Sequence, residues 1–600
     1  MSTSRREFLV SSAALLGASA GPSQSATGRP PAPDRLPPGS PPAFGTGSGV
    51  GPEVAAPTFA EAEKLVRVSM SPGERTEAAS NWRNSMAPLY ERRTGPRKVD
   101  LEPELAPYSL WNPVLPGHGV VSRRNEFVRS ARDPGPLPPR DADVAFAPLW
   151  KLARWVRTRQ LSSQRLTELY LRRIETWNPR LKCVITVTGD LALEQARNAD
   201  SEIAGGRYRG PLHGIPWGAK DLLDTAGIRT TYGAEPFKDR VPGTDAVVVE
   251  RLRAAGAVLI AKLSMGALAL NDVWFGGQTK NPWLPEEGSG GSSAGPAAAT
   301  AAGLVGFSIG SETEGSIVDP SDRCGVCGLR PTFGRVPRTG AMTLCWSLDK
   351  LGPIARGVED TLLVLRAISG PDAGDLSSVP SVLDFDARMG VRGLRVGYFP
   401  RWERDATEVD RHALQQLEAL GLEAVEVDLP DWPYDSLNTI LFAEAAAAFE
   451  ELTLSGRLDQ MRMQTPDAWP NTFRQARFLS AVDAVQADRF RRRVAEEMDR
   501  LFSRVDLLLV PSLREEMLTI GNFTGYPSLT LRAGFIHVTQ ARSDWAPDPH
   551  RPLPHFDPPR RVPQSVTLVG RLFDEGTIGR VGLALEHALK VEEEHPPGFG

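Results

Sequence analysis

From about residue 143 onward, short apolar runs alternate with longer stretches in which apolar residues recur every three or four positions, and this alternation confines the chain to a β/α architecture. The short runs are 184–188, 258–261, 394–398 and 507–510, separated by helical segments such as 190–204 and 481–503. Leu149, Leu152, Trp155 and Val156 keep the helical period, and Leu166, Leu169, Tyr170 and Ile174 continue it after Ser162 and Ser163, two cap candidates. Such alternation favours a three-layer α/β/α fold with a large central mixed, mostly parallel sheet. The basic run 489–493 falls in a helix beside Asp488, Glu496 and Glu497, which reads as a solvated charged face.

The chain has 600 residues, 41% of them hydrophobic, with a formal net charge of −4. It can bury a large core, and its small, mixed charge points to neither nucleic acid nor an anionic membrane as partner. Proline crowds 28–57 and 103–139, which marks those stretches as linker and loop. The four cysteines are too few for a disulfide framework. Cys324 and Cys327 form a CxxC with no second pair, so they read as buried structural thiols, with no metal and no cofactor implied.

Arg5-Arg6 precedes a mild apolar run, 10–20, that ends in Ala18-Ser19-Ala20. The run is shorter than the roughly 20 residues needed to cross a bilayer. It reads as a twin-arginine export signal with a small-residue cleavage site, which predicts a periplasmic or secreted protein with no membrane attachment once the leader is removed. That route carries proteins already folded in a reducing cytoplasm, which suits four unpaired thiols. The expected organisation is a leader (1–20), a Pro/Gly/Ser-rich linker (21–57), a partly helical N-terminal extension (58–142) and a main domain (143–600).

The chemistry concentrates between 287 and 318. Gly288-Ser289-Gly290-Gly291-Ser292-Ser293-Ala294-Gly295 runs into an Ala-rich helical stretch, 297–302, and Gly310-Ser311-Glu312-Thr313-Glu314-Gly315-Ser316-Ile317 follows. These glycines lack the Gly-Lys-Ser/Thr of a phosphate loop and the GxGxxG of a dinucleotide site. They suit a backbone that lets hydroxyls and amides approach a substrate closely. Gly306-Phe307-Ser308-Ile309-Gly310 matches the GxSxG nucleophile elbow, yet Ser308 lies inside an apparent strand, 303–309, with no helix start after it, so the elbow is set aside. With eight histidines in the chain, a Ser-Lys arrangement is easier to build than Ser-His-Asp.

These segments, with Gly214-Ile215-Pro216-Trp217-Gly218-Ala219-Lys220-Asp221 upstream, Asn281-Pro282-Trp283, Cys324 to Thr332, Leu348-Asp349 with Gly352-Pro353, Arg356 and Asp360, and Thr524-Gly525-Tyr526-Pro527, resemble the amidase-signature family from about 145 to 590. The resemblance implies an amide C–N bond hydrolase that passes through an acyl-enzyme and acts on a small-molecule amide. It assigns Ser316 as nucleophile, Ser292 as bridging serine after a cis peptide bond, Lys220 as base, and the backbone N–H groups of Thr313, Glu314, Gly315 and Ser316 as oxyanion hole. Ser292 and Ser316 stand 24 positions apart, in keeping with the family's spacing. For Lys220 to act as base its pKa must fall from about 10.4 towards neutrality, a bias of about 4 kcal/mol against the charged form, which burial under the Gly/Ser loops can supply.

The chain departs from the commonest family pattern at Glu312, where aspartate is usual, at Glu314, which replaces a glycine, and at Val318, which replaces a frequent arginine. Glu314 adds a carboxylate near the site that is expected to point to solvent, the alternative being that it favours a cationic substrate group. Two alternatives stay open: an A-subunit-like protein of a tRNA-dependent amidotransferase, and a non-catalytic binding protein on the same fold. A homodimer also stays open. Segments 93–142 and 535–563 are expected to help shape the substrate pocket.

Overall fold

A computed structural model describes residues 49–66, 69–85, 90–91, 96–99, 112–115, 124–542, 552–591 and 593–600. The expected leader, 1–20, and residues 21–48 of the linker lie outside the described residues.

Eleven strands form one sheet: β1 Val184–Val187, β2 Pro216–Lys220, β3 Val258–Leu263, β4 Phe307–Glu312, β5 Cys327–Arg330, β6 Lys350–Ala355, β7 Arg395–Tyr398, β8 Glu423–Glu426, β9 Leu507–Pro511, β10 Ser528–Gln540 and β11 His555–Gly570. Their spatial order is β8-β7-β9-β11-β10-β5-β6-β4-β2-β3-β1. Every residue of β2 to β6 is buried. Successive strand residues face opposite sides, so both faces of this half are covered, and the three-layer α/β architecture stands.

One part of the expectation is corrected. Four pairings are parallel (β7–β8, β7–β9, β2–β3, β2–β4) and six are antiparallel, so the sheet is mixed but not mostly parallel. The reason lies in β10 and β11, a long antiparallel pair set in the middle of the sheet. Pro558, Pro559 and Pro563 speak against a strand, yet β11 meets its other neighbour, β9, only over Val566–Gly570. The prolines sit in the part of β11 that has a neighbour on one side only, where a missing N–H costs little.

The helices used below are α1 Ala56–Val66, α2 Pro72–Ser85, α3 Leu149–Arg157, α4 Ser163–Leu181, α5 Gly189–Ala204, α6 Ala294–Ala301, α7 Val318–Cys324, α8 Val358–Ile368, α9 Asn438–Ala448, α10 Trp469–Ala476, α11 Ala481–Phe502 and α12 Glu515–Phe523. Ser162 caps α4 by accepting from Arg165 N; Ser163 instead donates to Gly214 O at 2.7 Å and fastens α4 to the approach of β2. Within the basic run, Arg491 is buried, paired with Asp488 at 3.0 Å and bonded to Ser347 Oγ at 2.9 Å. One arginine of the expected solvated face therefore points into the body of the protein. No helix among the described residues is long and apolar enough to cross a membrane.

The N-terminal helices dock on the main body through α10 and the residues flanking it. Asn81 donates to Pro466 O at 2.8 Å, Gln475 donates to Ala78 O at 3.1 Å, and Phe59 packs edge-on against Trp82 and Phe478. The stretch before α3 is tied down by the Trp155 indole N–H, which donates to Gly135 O at 2.9 Å.

Candidate active site

Strands β2 and β4 are parallel neighbours, so both reach the same rim of the sheet. Lys220 ends β2, residues 313–316 leave β4 there, and Ser292 and Ser293 lead into α6 at the same place. A hydrogen bond from Ser293 N to Ser316 O at 3.1 Å stitches the two serine segments together.

Lys220 is fully buried. Its Nζ lies within hydrogen-bond distance of Ser292 Oγ at 2.9 Å, Ser293 Oγ at 3.0 Å and Ser311 Oγ at 2.8 Å, with Ser311 O at 3.4 Å. Every one of these neighbours is a neutral oxygen, and the amine makes no salt bridge to a carboxylate among the described residues. Burial holds its pKa well below 10.5, and the charges of Asp349 and Glu312 only partly oppose the shift.

The peptide bond between Gly291 and Ser292 is cis. Glycine is required at 291 because a Cβ there would stand 1.9 Å from Asn271 O. The Gly291 N–H donates to Asp319 Oδ2 at 2.6 Å. Burial pushes the Asp319 carboxyl up to about 7.

Ser316 keeps 8% of its surface exposed while Lys220 and Ser292 keep none, so of the three it is the one within reach of a ligand. Its hydroxyl bonds to none of the described residues. The structure brings Lys220 and Ser292 into direct contact, then, and holds Ser316 beside them through the backbone. Catalytic hydrogen bonds often close only when substrate is bound.

The turn carrying Ser316 is built around Glu312. Its Oε2 accepts from Ile317 N at 2.7 Å and Val318 N at 3.0 Å, and its Oε1 accepts from Arg330 Nη1 at 2.7 Å and Asn522 Nδ2 at 2.8 Å. Burial alone would raise the Glu312 pKa, but Arg330, Lys350 and Asn522 bring it below its ordinary value. Gly315 has φ +88°, a left-handed conformation that glycine adopts without strain. The N–H groups of Ile317 and Val318 are turned inward to Glu312 and away from any ligand. Thr313 donates its hydroxyl to Asp349 Oδ1 at 2.6 Å, which fixes the start of the turn.

Glu314 does not simply face solvent. It is half-buried and accepts from Thr519 Oγ1 at 2.8 Å, while the Asn438 amide, in the orientation that satisfies both of its ends, donates to the same carboxylate at 2.8 Å. Helices α9 and α12 thus meet at a carboxylate next to the serine turn. Ser308 lies within β4 with its hydroxyl donating to Pro296 O, a structural role. Cys324 and Cys327 are buried free thiols bonded to Ser289 O and Glu586, respectively, and not to each other.

Residue patterning alone did not single out Ser311, Asp349, Arg330, Thr519 or Asn522. Arg330 and Asp349 stand inside recognised motifs but carried no assigned role, and Ser293 is adjacent to Ser292. Thr519 and Asn522 lie about 200 positions from the serine turn, and no local signal marks them.

Residues 165–578 match the Amidase family, and the chain belongs to it. Fold and family together make it an amide-hydrolysing enzyme. Among curated relatives it is 36% identical over 479 residues to the "Putative amidase AmiD" of Mycobacterium tuberculosis, covering 77% of this chain and 98% of that one. It is 33% identical over 481 residues to one component of the glutamyl-tRNA(Gln) amidotransferase of Carboxydothermus hydrogenoformans, covering 74% and 97%. Among solved structures it is similar to the peptide amidase of Stenotrophomonas maltophilia, with a TM-score of 0.64, 29% identity, and coverage of 76% of this chain and 98% of that chain.

Proposed function

We propose that the protein hydrolyses amide C–N bonds through an acyl-enzyme on Ser316, with Lys220 as base and Ser292 as proton relay. The observation that carries this reading is the Lys220 amine, fully buried, 2.9 Å from Ser292 Oγ and surrounded by neutral oxygens. A buried amine in such surroundings is held neutral and can take a proton. Ser316 attacks the carbonyl, its proton passes through Ser292 to Lys220, and the same path returns it to the departing amine. The N–H groups from Thr313 to Ser316 face the developing oxyanion, where one donor is typically worth about 3–4 kcal/mol. Water then releases the acyl group.

A serine-reactive fluorophosphonate tests this. An adduct of one equivalent on Ser316, absent in Ser316→Ala, is expected. Folded protein that takes up no label at Ser316 would sink the reading.

The similarity to the amidotransferase component favours a second reading, a protein that supplies ammonia to partner chains. Export weighs against it, since such work belongs with tRNA in the cytoplasm. Arg5-Arg6 and the apolar run after it support export. Cell fractionation separates the two: a pool confined to the cytoplasm overturns export and reopens the amidotransferase reading.

A further inference from the structure

A cleft of about 860 Å³ opens far from the serine cluster. It is bordered by Gly210, Pro211 and Leu212, which precede β2, and by Ala255, which precedes β3. Lys220 ends β2, so the cleft lies at the opposite end of these parallel strands, a strand length of about 16 Å or more away at ~3.3 Å per residue. Its size is that of a small-molecule site.

The walls are unusual in charge. Arg129, Arg132, Arg154, Arg209 and Arg366 line it, against a single carboxylate, Glu359. Two of the five are neutralised: Arg132 pairs with Glu359 at 3.2 Å and Arg209 with Glu202. Arg129, Arg154 and Arg366 make no salt bridge among the described residues.

Arg129 and Arg154 line the cleft together with Tyr208, over whose ring Arg157 lies at 5.5 Å. Burial pushes the Tyr208 phenol up, and the charges of Arg129, Arg157 and Arg154 partly oppose the shift. Trp150, Leu212 and Leu363 supply an apolar wall. The charged wall is held in place, because Glu359 accepts from Ser130 N at 2.8 Å and from Ser130 Oγ at 2.5 Å. Phe127 to Arg132, Trp150 and Arg154 all precede residue 165, where the family match begins. The wall from Phe127 to Arg132 is therefore contributed by a segment outside the family match, whereas Tyr208 to Leu212, Ala255 and Glu359 to Ala367 lie within it.

We propose that this cleft is a second ligand site, which takes a small planar molecule bearing an oxyanion. The guanidinium groups of Arg129, Arg154 and Arg366 receive the carboxylate or phosphate, and the apolar wall receives the ring body. Guanidinium forks suit both oxyanions. The proposal is independent of the chemistry at Ser316.

Isothermal titration of the full chain at low ionic strength tests it with 2-naphthoate, 2-naphthyl phosphate and uncharged 2-naphthalenemethanol. At least one anion is expected to bind, and the stronger of the two identifies the oxyanion. Its affinity is expected to fall about tenfold or more in Arg129→Gln/Arg154→Gln, a loss that binding at the serine cluster, a strand length away, would not show. Neither arginine leaves a carboxylate stranded when removed, and the single variant Arg366→Gln, at an exposed position, provides a second reading of the same loss. Equal affinity in the arginine variants, equal binding of the uncharged compound, or no binding of either anion at millimolar concentration overturns the proposal. So does a hexaglutamate peptide that binds where both naphthyl anions fail, which would make the cleft a protein-docking surface.

Discussion

Replacing Glu312 with glutamine keeps the side chain's shape and tests whether its charge organises the serine turn. The carboxylate accepts four hydrogen bonds, two on each oxygen, all from donors. Glutamine has one oxygen. Whichever way it turns, its NH2 group faces either Ile317 N and Val318 N or Arg330 and Asn522, so two bonds are lost. At roughly 1.5–3 kcal/mol for each charge-assisted bond, the cost is about 3–6 kcal/mol. That range overlaps the ~3–5 kcal/mol typical of breaking one side of a buried ion pair, and the pair here is buried on both sides. Glu312→Gln should therefore lower the denaturant midpoint markedly and slow fluorophosphonate labelling of Ser316, because the turn behind that serine loses its anchor. Adding Arg330→Met removes the stranded guanidinium and should recover about 1 kcal/mol or more, a coupling that a double-mutant cycle reads directly. A Glu312→Gln protein with the wild-type midpoint and labelling rate would refute the reasoning.

Four further outcomes are expected. The Ser316 labelling rate should rise with pH as Lys220 loses its proton and level off well below 10.5, and Lys220→Arg, which stays charged, should lose about 10²–10⁴-fold and show no such limb; a limb that survives in the variant assigns the titration elsewhere. Asp319 has its folded pKa raised from 3.8 to about 7, so the folded state holds the extra proton and stability should decline as pH rises through that window, a slope that Asp319→Asn should make shallower in denaturant midpoints read from pH 4 to 8. At Gly315 a Cβ would meet Leu518 only at 3.7 Å, so Gly315→Ala should cost about 1–2 kcal/mol from its φ of +88° alone while cutting labelling much further; parallel losses would argue against a special role for the turn. Trp155→Ala removes a buried indole and its bond to Gly135, for an expected loss of about 3–5 kcal/mol in thermal or denaturant unfolding.

Sequence patterning carried far wherever an element is locally self-sufficient. The apolar runs at 184–188 and 507–510 became β1 and β9, the runs at 190–204 and 481–503 became α5 and α11, and Ser162 caps α4 as its position suggested. Lys220 and Ser292 were legible from their motifs, and they touch. What escaped depends on partners distant in the chain. The Arg491 side chain turns inward because Ser347, 144 positions away, offers a hydroxyl. The antiparallel half of the sheet was hidden by prolines that only the one-sided exposure of β11 makes tolerable. Glu314 looked solvent-bound until α9 and α12 closed over it.

The clasp on Glu312 also governs when the site comes into being. A nascent chain released from the ribosome tunnel as far as β6 already holds Lys220, Ser292 and Ser316, yet β5 still lacks its neighbour β10, and Asn522 has not been made. The frame around Glu312 is thus completed by Asn522, made 210 positions later, so chains cut short before it carry Lys220, Ser292 and Ser316 without the frame that aligns them. Activity becomes a report on folding through Asn522 and β10.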